Sequence, residues 1–596
     1  MQPIVSLRNV SFQYRSLNEP TLKQINLDIY PGEKVLIAGR SGSGKSTLAH
    51  CLNGLIPFHY EGSLTGELIV KGRKPSEAGI FATSEAVGTI LQDQDKQFVG
   101  LTVGEDVAFV LENENVPAAD MKERVGQALQ AVDMLASIDA SPYDLSGGQK
   151  QRVSIAGIWC TDADILLFDE PLANLDPASG EKAIALIDDI HREANKTIII
   201  VEHRIEDVLH RPVDRIVLLD CGEIVASGTP DELLGSGVLK RYGIRQPLYV
   251  EALQYAGFSE ADAGGGKDEC DKDECGSIES GKRPPEWSNL DSFRGEAVGG
   301  LLTRWMEPGT EARRQSAAAR GRDRGGEELL EIDRITFGYD KTKPVLTDVS
   351  FRIGAGETVA LLGNNGAGKS TLSALITGML KTTNGDIRFR GESIKPWSVA
   401  QRGRRIGYAM QNPNHMITQQ IVKDEAGLGL LSAGLDPETL ARKVEDALRT
   451  CGLYPYRNWP VSALSYGQKK RLTIASILVL GPELIILDEP TAGQDYRHYR
   501  EFMEWIAELA ASGTAFLIIT HDMHLALEYA DRAVVLSGGR VIGDGDVAQL
   551  LADEAIVSQA SLKMTSLAKL ARQAGLDDPA AFIRHYIAFE RGAGGR

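Results

Sequence analysis

One pattern is written twice along these 596 residues, and that repetition restricts the fold more than any other feature. The first copy opens VSLRNVSFQYRSLNEPTLKQINLDIYPGEKVLIAGRSGSGKST, the second LEIDRITFGYDKTKPVLTDVSFRIGAGETVALLGNNGAGKST. Each reads as short alternating strands, a tyrosine, a turn, then a buried strand that runs into a glycine-rich loop and a helix. Later landmarks recur in the same order: LQDQDKQ and MQNPNHM, LSGGQ and LSYGQ, ILLFDEP and LIILDEP, VEHR and ITHD. The chain is too long for one ordinary core, so the duplication predicts two large α/β domains.

A weaker echo follows each copy, RQPLYVEALQYAGF at 245–258 and KMTSLAKLARQAGL at 563–576, with apolar spacing that suits an amphipathic helix. The predicted divisions are a first domain with a short appendage over 1–258, a linker over 259–327, a second domain over 328–555 and a helical appendage over 556–596. The linker begins ADAGGGKDECDKDECGSIESGKRPPEWSN, rich in Gly, Ser, Pro and charge, and reads as flexible. Its Cys270 and Cys275 lack the second ligand pair of a metal site, and Arg313, Arg314, Arg320, Arg322 and Arg324 read as solvated charge rather than a lipid or RNA contact.

Apolar residues make up 43% of the chain and charged residues 24%, the balance of a soluble globular protein. No run of 18 apolar residues occurs, and MQPIVSLRNV lacks the layout of a secretory signal, so the chain is expected neither to span a membrane nor to be secreted. Six scattered cysteines suit a reducing compartment. A formal charge of -18 argues against a nucleic-acid partner, which selects for clustered basic surface.

The chemistry sits in the repeated landmarks. Gly39, Arg40, Ser41, Gly42, Ser43, Gly44, Lys45, Ser46 and Thr47 satisfy G-x-x-x-x-G-K-[ST] between a buried strand and a helix. So do Gly363, Asn364, Asn365, Gly366, Ala367, Gly368, Lys369, Ser370 and Thr371. Such a loop turns backbone N–H groups toward phosphate oxygens, and the helix N-terminus adds partial positive charge. Lys45 and Lys369 are then the residues that reach the β- and γ-phosphates, and Ser46 and Ser370 ligate magnesium. Two apolar runs end in carboxylate pairs, Asp169 with Glu170 and Asp488 with Glu489. The aspartates are expected to hold magnesium through water and the glutamates to polarise the attacking water.

With these motifs the chain resembles the ABC ATPase family over nearly its whole length outside the linker, and Leu145-Ser146-Gly147-Gly148-Gln149 is similar to that family's signature. The resemblance implies two tandem P-loop NTPase domains, each a RecA-like parallel-sheet core with an antiparallel β subdomain and a helical signature subdomain. It implies that the two domains pair within the chain, each signature closing over the nucleotide held by the other domain. Tyr14 and Tyr339 then stack on adenine, Gln92 and Gln411 join magnesium to the water and to a membrane partner, and His203 and His521 contact the γ-phosphate. Asp176 and Asp495 match the loop that crosses the interface in that family.

The second signature departs from the pattern, reading Leu464-Ser465-Tyr466-Gly467-Gln468. A ring where close backbone approach calls for glycine is expected to weaken the site formed with Lys45 and Glu170. Two hydrolytic sites of unequal rate are therefore predicted.

Among tandem members, the segments Gln92-Asp93-Gln94-Asp95-Lys96-Gln97 and Gln411-Asn412-Pro413-Asn414-His415-Met416 resemble the glutamine loop of energy-coupling-factor importers. So do the acidic helix starts at Val103-Gly104-Glu105-Asp106-Val107-Ala108-Phe109, an acidic-aromatic segment, and Val422-Lys423-Asp424-Glu425. The chain looks like a fused pair of such ATPase subunits, of the two-domain kind assigned to thiamine-precursor import. That resemblance implies ATP and Mg2+ as ligands, a transmembrane coupling subunit and a membrane solute-binding subunit as partners, and a peripheral place on the cytoplasmic face of the membrane. Fused sugar-import ATPases share the layout but lack the acidic-aromatic segment. Translation-acting ABC-F proteins join their domains by a basic helical arm, which the glycine triplets and prolines of 259–327 do not suit.

Overall fold

The computed structural model describes residues 2–91, 97–173, 175–258, 286–307, 327–340, 343–431, 435–491 and 496–593. Contacts divide them into two compact units, the first running to Arg294 and the second opening at Gly295.

In the first unit β1 (Val5–Tyr14), β2 (Leu22–Ile29), β3 (Lys34–Gly39), β4 (Gly62–Val70) and β5 (Val87–Ile90) are followed by β6 (Ile165–Asp169), β7 (Thr197–Val201), β8 (Arg215–Asp220) and β9 (Glu223–Gly228). Alternating residues such as Val5, Leu7 and Phe12 give β1 one buried face, and it pairs antiparallel with β2 and β4. β3 is buried along its whole length, as its unbroken apolar core KVLIAG requires of a strand covered on both faces. It lies in a six-stranded sheet ordered β5-β6-β7-β3-β8-β9, parallel except for the last pair. One hydrophobic core, including Leu7, Phe12, Leu27, Ile37, Leu167 and Val201, joins the two sheets.

The second unit repeats the plan. Its strands are β10 (Glu328–Phe337), β11 (Leu346–Gly354), β12 (Thr358–Leu362), β13 (Asn384–Phe389), β14 (Glu392–Ser393), β15 (Ile406–Ala409), β16 (Leu484–Asp488), β17 (Ala515–Thr520), β18 (Arg532–Ser537) and β19 (Arg540–Gly545). They form an antiparallel sheet β11-β10-β13-β14 and a six-stranded sheet β15-β16-β17-β12-β18-β19. Each unit inserts a helical layer, Val103–Asn113, Ala118–Ala131 and Gly147–Trp159 between β5 and β6 in the first, and Val422–Gly427, Pro437–Thr450 and Tyr466–Leu478 between β15 and β16 in the second. The α/β architecture with an antiparallel sheet and a helical layer agrees with the expectation from sequence.

The stretch 259–327, read as flexible linker, needs correction over its described part. Residues 286–307 are folded, and they serve both appendages. Trp287 and Phe293 are buried against Phe258, with ring centroids 5.6 and 5.5 Å away, and Tyr249 Oη donates to the Trp287 carbonyl at 2.7 Å. The helix Glu296–Met306 instead joins the second unit's appendage, where Trp305 packs on Phe582 and His585. Gly299 permits that packing, since a Cβ there would stand 2.2 Å from the Ala574 carbonyl oxygen. Four large apolar anchors, Trp287, Phe293, Leu302 and Trp305, spaced through polar sequence bury enough area to order a segment whose average composition reads as linker. Cys270, Cys275 and the five arginines lie outside the described residues.

Candidate active site

The order of the six-stranded sheets sets the site. β3 lies between β7 and β8, with β6 beyond β7, so the residues that leave the carboxyl ends of β3, β6 and β7 converge on one edge. The same holds for β12, β16 and β17.

From β3 the chain passes through Ser41 and Gly42, which form an exposed tip, into the helix Lys45–Leu52 capped by Gly44. Gly42 at φ 76° and Gly44 at φ 104° take the left-handed region that side chains disfavour. Gly366 at φ 81° and Gly368 at φ 102° repeat this before the helix Lys369–Thr377, with Asn365 at the exposed tip. Gly39 and Gly363 are excluded from carrying a side chain for another reason: a Cβ would meet the carbonyl oxygens of Leu219 and Leu536 at 2.3 and 2.4 Å. Lys45 Nζ donates to the carbonyls of Gly39 and Arg40, both at 2.9 Å, and Lys369 Nζ to those of Gly363 and Asn364 at 2.7 and 3.0 Å. Each lysine thus sits inside its own loop.

Ser46 Oγ donates to Asp169 Oδ1 at 3.3 Å, which brings a hydroxyl and a carboxylate together. Burial, reinforced by adjacent Glu170, pushes Asp169 up to about 6. Asp488 is likewise raised, by burial first, and accepts a 2.8 Å hydrogen bond from Tyr408 Oη. Tyr408 is absent from the sequence-derived site. Its position in the short strand β15, three residues before Gln411, is the signal that points to it.

Glu170 and Glu489 follow the strand ends at φ 49° and 46°, left-handed conformations that cost a non-glycine residue free energy and concentrate at functional sites. His203 and His521 come to the same edge from β7 and β17. His521 Nδ1 lies 2.7 Å from Glu489 Oε1. His203 Nδ1 is 3.9 Å from Glu170 Oε1 but 3.0 Å from Glu202 Oε1. Burial opposes the charged forms of Glu202 and His203, yet their mutual attraction prevails. Glu202 is held at about 2, and His203 is raised.

The tyrosines stand beside the phosphate-loop helices. Tyr14 Oη is hydrogen-bonded to Thr47 Oγ1 at 3.1 Å and Tyr339 Oη to Thr371 Oγ1 at 3.4 Å. The Tyr339 ring is 70% exposed, whereas Tyr14 is half-buried and edge-on to Phe12 and Tyr60.

The signatures begin helices. Ser146 caps Gly147–Trp159 by accepting from the Gln149 N–H, and Gln149 Oε1 accepts from the Ser146 N–H at 3.0 Å, a capping box. Ser465 and Gln468 repeat it. Gly148 packs tightly, since a Cβ there would stand 3.2 Å from Ser179 Oγ, whose own helix is capped by Asp176. Gly467 has nothing within 4 Å of that position. Tyr466 leaves the cap undisturbed: Ser465 has φ -63° and ψ 163°, Ser146 φ -66° and ψ 158°. Its hydroxyl donates to the Gln411 carbonyl at 3.3 Å, and its ring lies over Lys470 Nζ, 5.2 Å from the centroid. Gln92 and Asp495 lie outside the described residues.

The acidic helix starts have a structural role the sequence reading did not assign. Asp106 Oδ1 accepts the N–H groups of Val99 and Gly100 at 2.8 and 3.0 Å, and buried Glu425 Oε2 those of Thr418 and Gln419 at 2.8 and 2.7 Å. Each carboxylate shapes the loop after the glutamine segment.

Two phosphate loops, each on a sheet edge shared with a carboxylate pair and a histidine, define a P-loop nucleoside triphosphatase with two nucleotide sites. The family model described as ABC transporter matches residues 22–173 and 346–492, and one described as ATP-binding cassette cobalt transporter matches 236–263. An ABC transporter ATP-binding protein of Bacillus cereus (strain ATCC 14579) is 49% identical, covering 98% of this chain and 98% of its own. Others from Clostridium perfringens (strain 13 / Type A) and Vibrio parahaemolyticus are 48% and 46% identical, covering 99% and 98% of this chain and 99% and 96% of their own. The solved structure of cbiO1 from Clostridium perfringens, described as part of the ABC transporter complex cbiONQ, is 30% identical over 41% of this chain and 99% of its own, with a TM-score of 0.37. The chain belongs to the ABC transporter family, as an ATP-binding protein with two ABC domains, and it is an ATPase.

Proposed function

We propose that this chain is the ATP-hydrolysing subunit of an energy-coupling-factor type importer, driving uptake of a vitamin, vitamin precursor or metal ion through separate membrane subunits at the cytoplasmic face. The observation that carries this reading is an exposed apolar ledge beside the glutamine segment. Val99 and Leu101 are 60% and 81% exposed on a loop held by Asp106, and Tyr143, 59% exposed in the short helix Pro142–Asp144, donates from Oη to the Phe98 carbonyl at 3.3 Å. A stiff, apolar, solvent-facing ledge suits a docking partner. The match of 236–263 to a cobalt-transporter model supports the same branch. No helix among the described residues is long and apolar enough to cross a membrane.

Hydrolysis joins a water oxygen to the γ-phosphorus, breaks the β–γ bridge and sends a proton to the base. Glu170 and Glu489 take that role, with backbone N–H groups and Lys45 or Lys369 holding the phosphates. The capped helix starts at Ser146 and Ser465 direct partial positive charge to a γ-phosphate. The Ser46 hydroxyl and the buried Asp169 carboxylate, hard oxygen donors 3.3 Å apart, fit Mg2+. Ser46 with Asp169, and Ser370 with Asp488, would hold the ion, joined by Gln92 and Gln411. When bound it neutralises phosphate charge.

Copurification of the chain with the membrane subunits encoded beside it, followed by ATPase assay in proteoliposomes, tests the reading. Stimulated turnover is expected. Unaltered turnover, or copurification with ribosomes instead, would overturn it.

A further inference from the structure

The two tyrosines read as adenine platforms are held differently, and the difference traces to the chain between each phosphate-loop helix and the strand that follows it. That stretch runs from Gly54 to Gly66 in the first unit and, more briefly, from Gly378 to Gly385 in the second, between left-handed glycines with φ of 77° and 85° against 82° and 84°. The extra length carries Tyr60. It also lets β4 begin at Gly62, opposite Tyr14, so that β1 continues through Tyr14, whereas β10 stops at Phe337, before Tyr339. Tyr60 stands edge-on to Tyr14, with ring centroids 6.3 Å apart and planes at 89°. Its other contacts brace it: it stacks on His50 of the phosphate-loop helix at 4.5 Å and 20°, and His59 packs edge-on against it at 4.7 Å. Tyr14 is thus half-buried within an aromatic cluster, while Tyr339 is 70% exposed, with Phe337 edge-on at 5.2 Å. A ring already held in one orientation gives up little rotamer freedom when a base stacks on it, and a freer ring gives up more.

We propose that Tyr60 is a positioning residue for nucleotide binding at the first site: braced by His50, it holds Tyr14 in the orientation that receives the adenine ring. At the second site Tyr339 is ordered only as the nucleotide binds. Tyr60 therefore acts on recognition of the base and not of the phosphates, although it rests on the helix that opens at Lys45. This rests on the reading of Tyr14 as the adenine-stacking residue.

The test uses the full chain carrying K369A, so that binding reports the first site, in EDTA so that no ATP is hydrolysed. Calorimetry reads the affinity for ATP and for inorganic tripolyphosphate, a probe that offers the phosphate loop its ligand but has no base. Y60A is expected to weaken ATP binding roughly three- to tenfold and to leave tripolyphosphate binding unchanged. Y60F keeps the ring, loses only the hydroxyl and is expected to recover the affinity for ATP. Should Y60A not fold, Y60L fills the space without a planar face for His50 and gives the same loss. Y14A is expected to weaken ATP binding by itself, and Y60A added to it to bring no further loss, the coupling of a residue that acts through another. Unchanged ATP affinity in folded Y60A or Y60L, no recovery in Y60F, an equal loss for tripolyphosphate, or additive losses in the double variant overturns the proposal. If Y14A leaves ATP affinity intact, the reading of Tyr14 fails instead, which separates the two.

Discussion

Lys470 Nζ donates to the Pro490 carbonyl at 2.7 Å, where the first unit uses Gln151 Nε2 on the Pro171 carbonyl. The same turn, just after the base, is held from the signature helix by a cation in one half and an amide in the other. Burial pushes Lys470 down to about 8, partly offset by Glu489. Because the folded value lies below the unfolded 10.5, the unfolded chain binds the proton more tightly. The destabilisation is complete below pH 8, shrinks between the two values and is gone above the higher one. K470Q, which copies the other half, is expected to stabilise the second unit at pH 7 by at most on the order of 3 kcal/mol. Thermal melts at pH 7 and pH 10 check this. A loss of stability at pH 7, or a gain that does not shrink at pH 10, would sink it.

Glu170 and Glu489 should not be equivalent. Their surroundings differ at two places: Glu202 against Thr520, and Gln151 against Lys470. E170Q and E489Q are expected to remove unequal shares of the total ATPase rate, read as steady-state phosphate release at saturating ATP. Equal losses would show that these differences do not reach the chemical step.

Much of this was legible in the sequence, because phosphate loops and strand-end carboxylates impose both residue type and spacing. G-x-x-x-x-G-K-[ST] demands left-handed glycines, and Gly42, Gly44, Gly366 and Gly368 adopt them. The direction in which Tyr466 turns was not legible, since a side chain's rotamer depends on partners such as the Gln411 carbonyl and Lys470 that come from other parts of the fold. Glu202 was hidden for a similar reason: its buried state and its bond to His203 are properties of β7's end, not of the tetrapeptide VEHR. The folded portion of the linker escaped because Trp287, Phe293, Leu302 and Trp305 are too widely spaced to show a period. The capping box of the signature, S-x-x-Q, came to light only with the helix starts themselves.

That cap yields its own test. Ser146 and Ser465 each accept from the N–H three residues on, and replacing such a cap by alanine costs about 1 kcal/mol. S146A and S465A are expected to melt slightly lower and bind ATP, yet lose turnover well beyond what the small loss of stability explains, because the helix start then frays where it addresses phosphate. A turnover loss no greater than the loss of folded protein would confine these serines to capping.

The carboxylate at Asp106 separates coupling from chemistry. It binds the N–H groups of Val99 and Gly100, and Gly100 approaches so closely that a Cβ would stand 2.4 Å from the Asp106 nitrogen. The arrangement leaves Leu101 thrust into solvent at 81% exposure, an apolar side chain held where folding gains nothing from it. Removing the carboxylate loses two charge-assisted bonds in a partly exposed loop, about 1–3 kcal/mol, without touching the phosphate loop or the bases. D106A is therefore expected to keep the basal ATPase rate of the isolated chain but lose most of the stimulation by membrane subunits in proteoliposomes. D106N, which retains an acceptor oxygen, should be intermediate. Full stimulation in D106A would mean that the ledge of Val99, Leu101 and Tyr143 is not the coupling surface, and would move the search to the exposed Trp459 and Leu431 of the second unit.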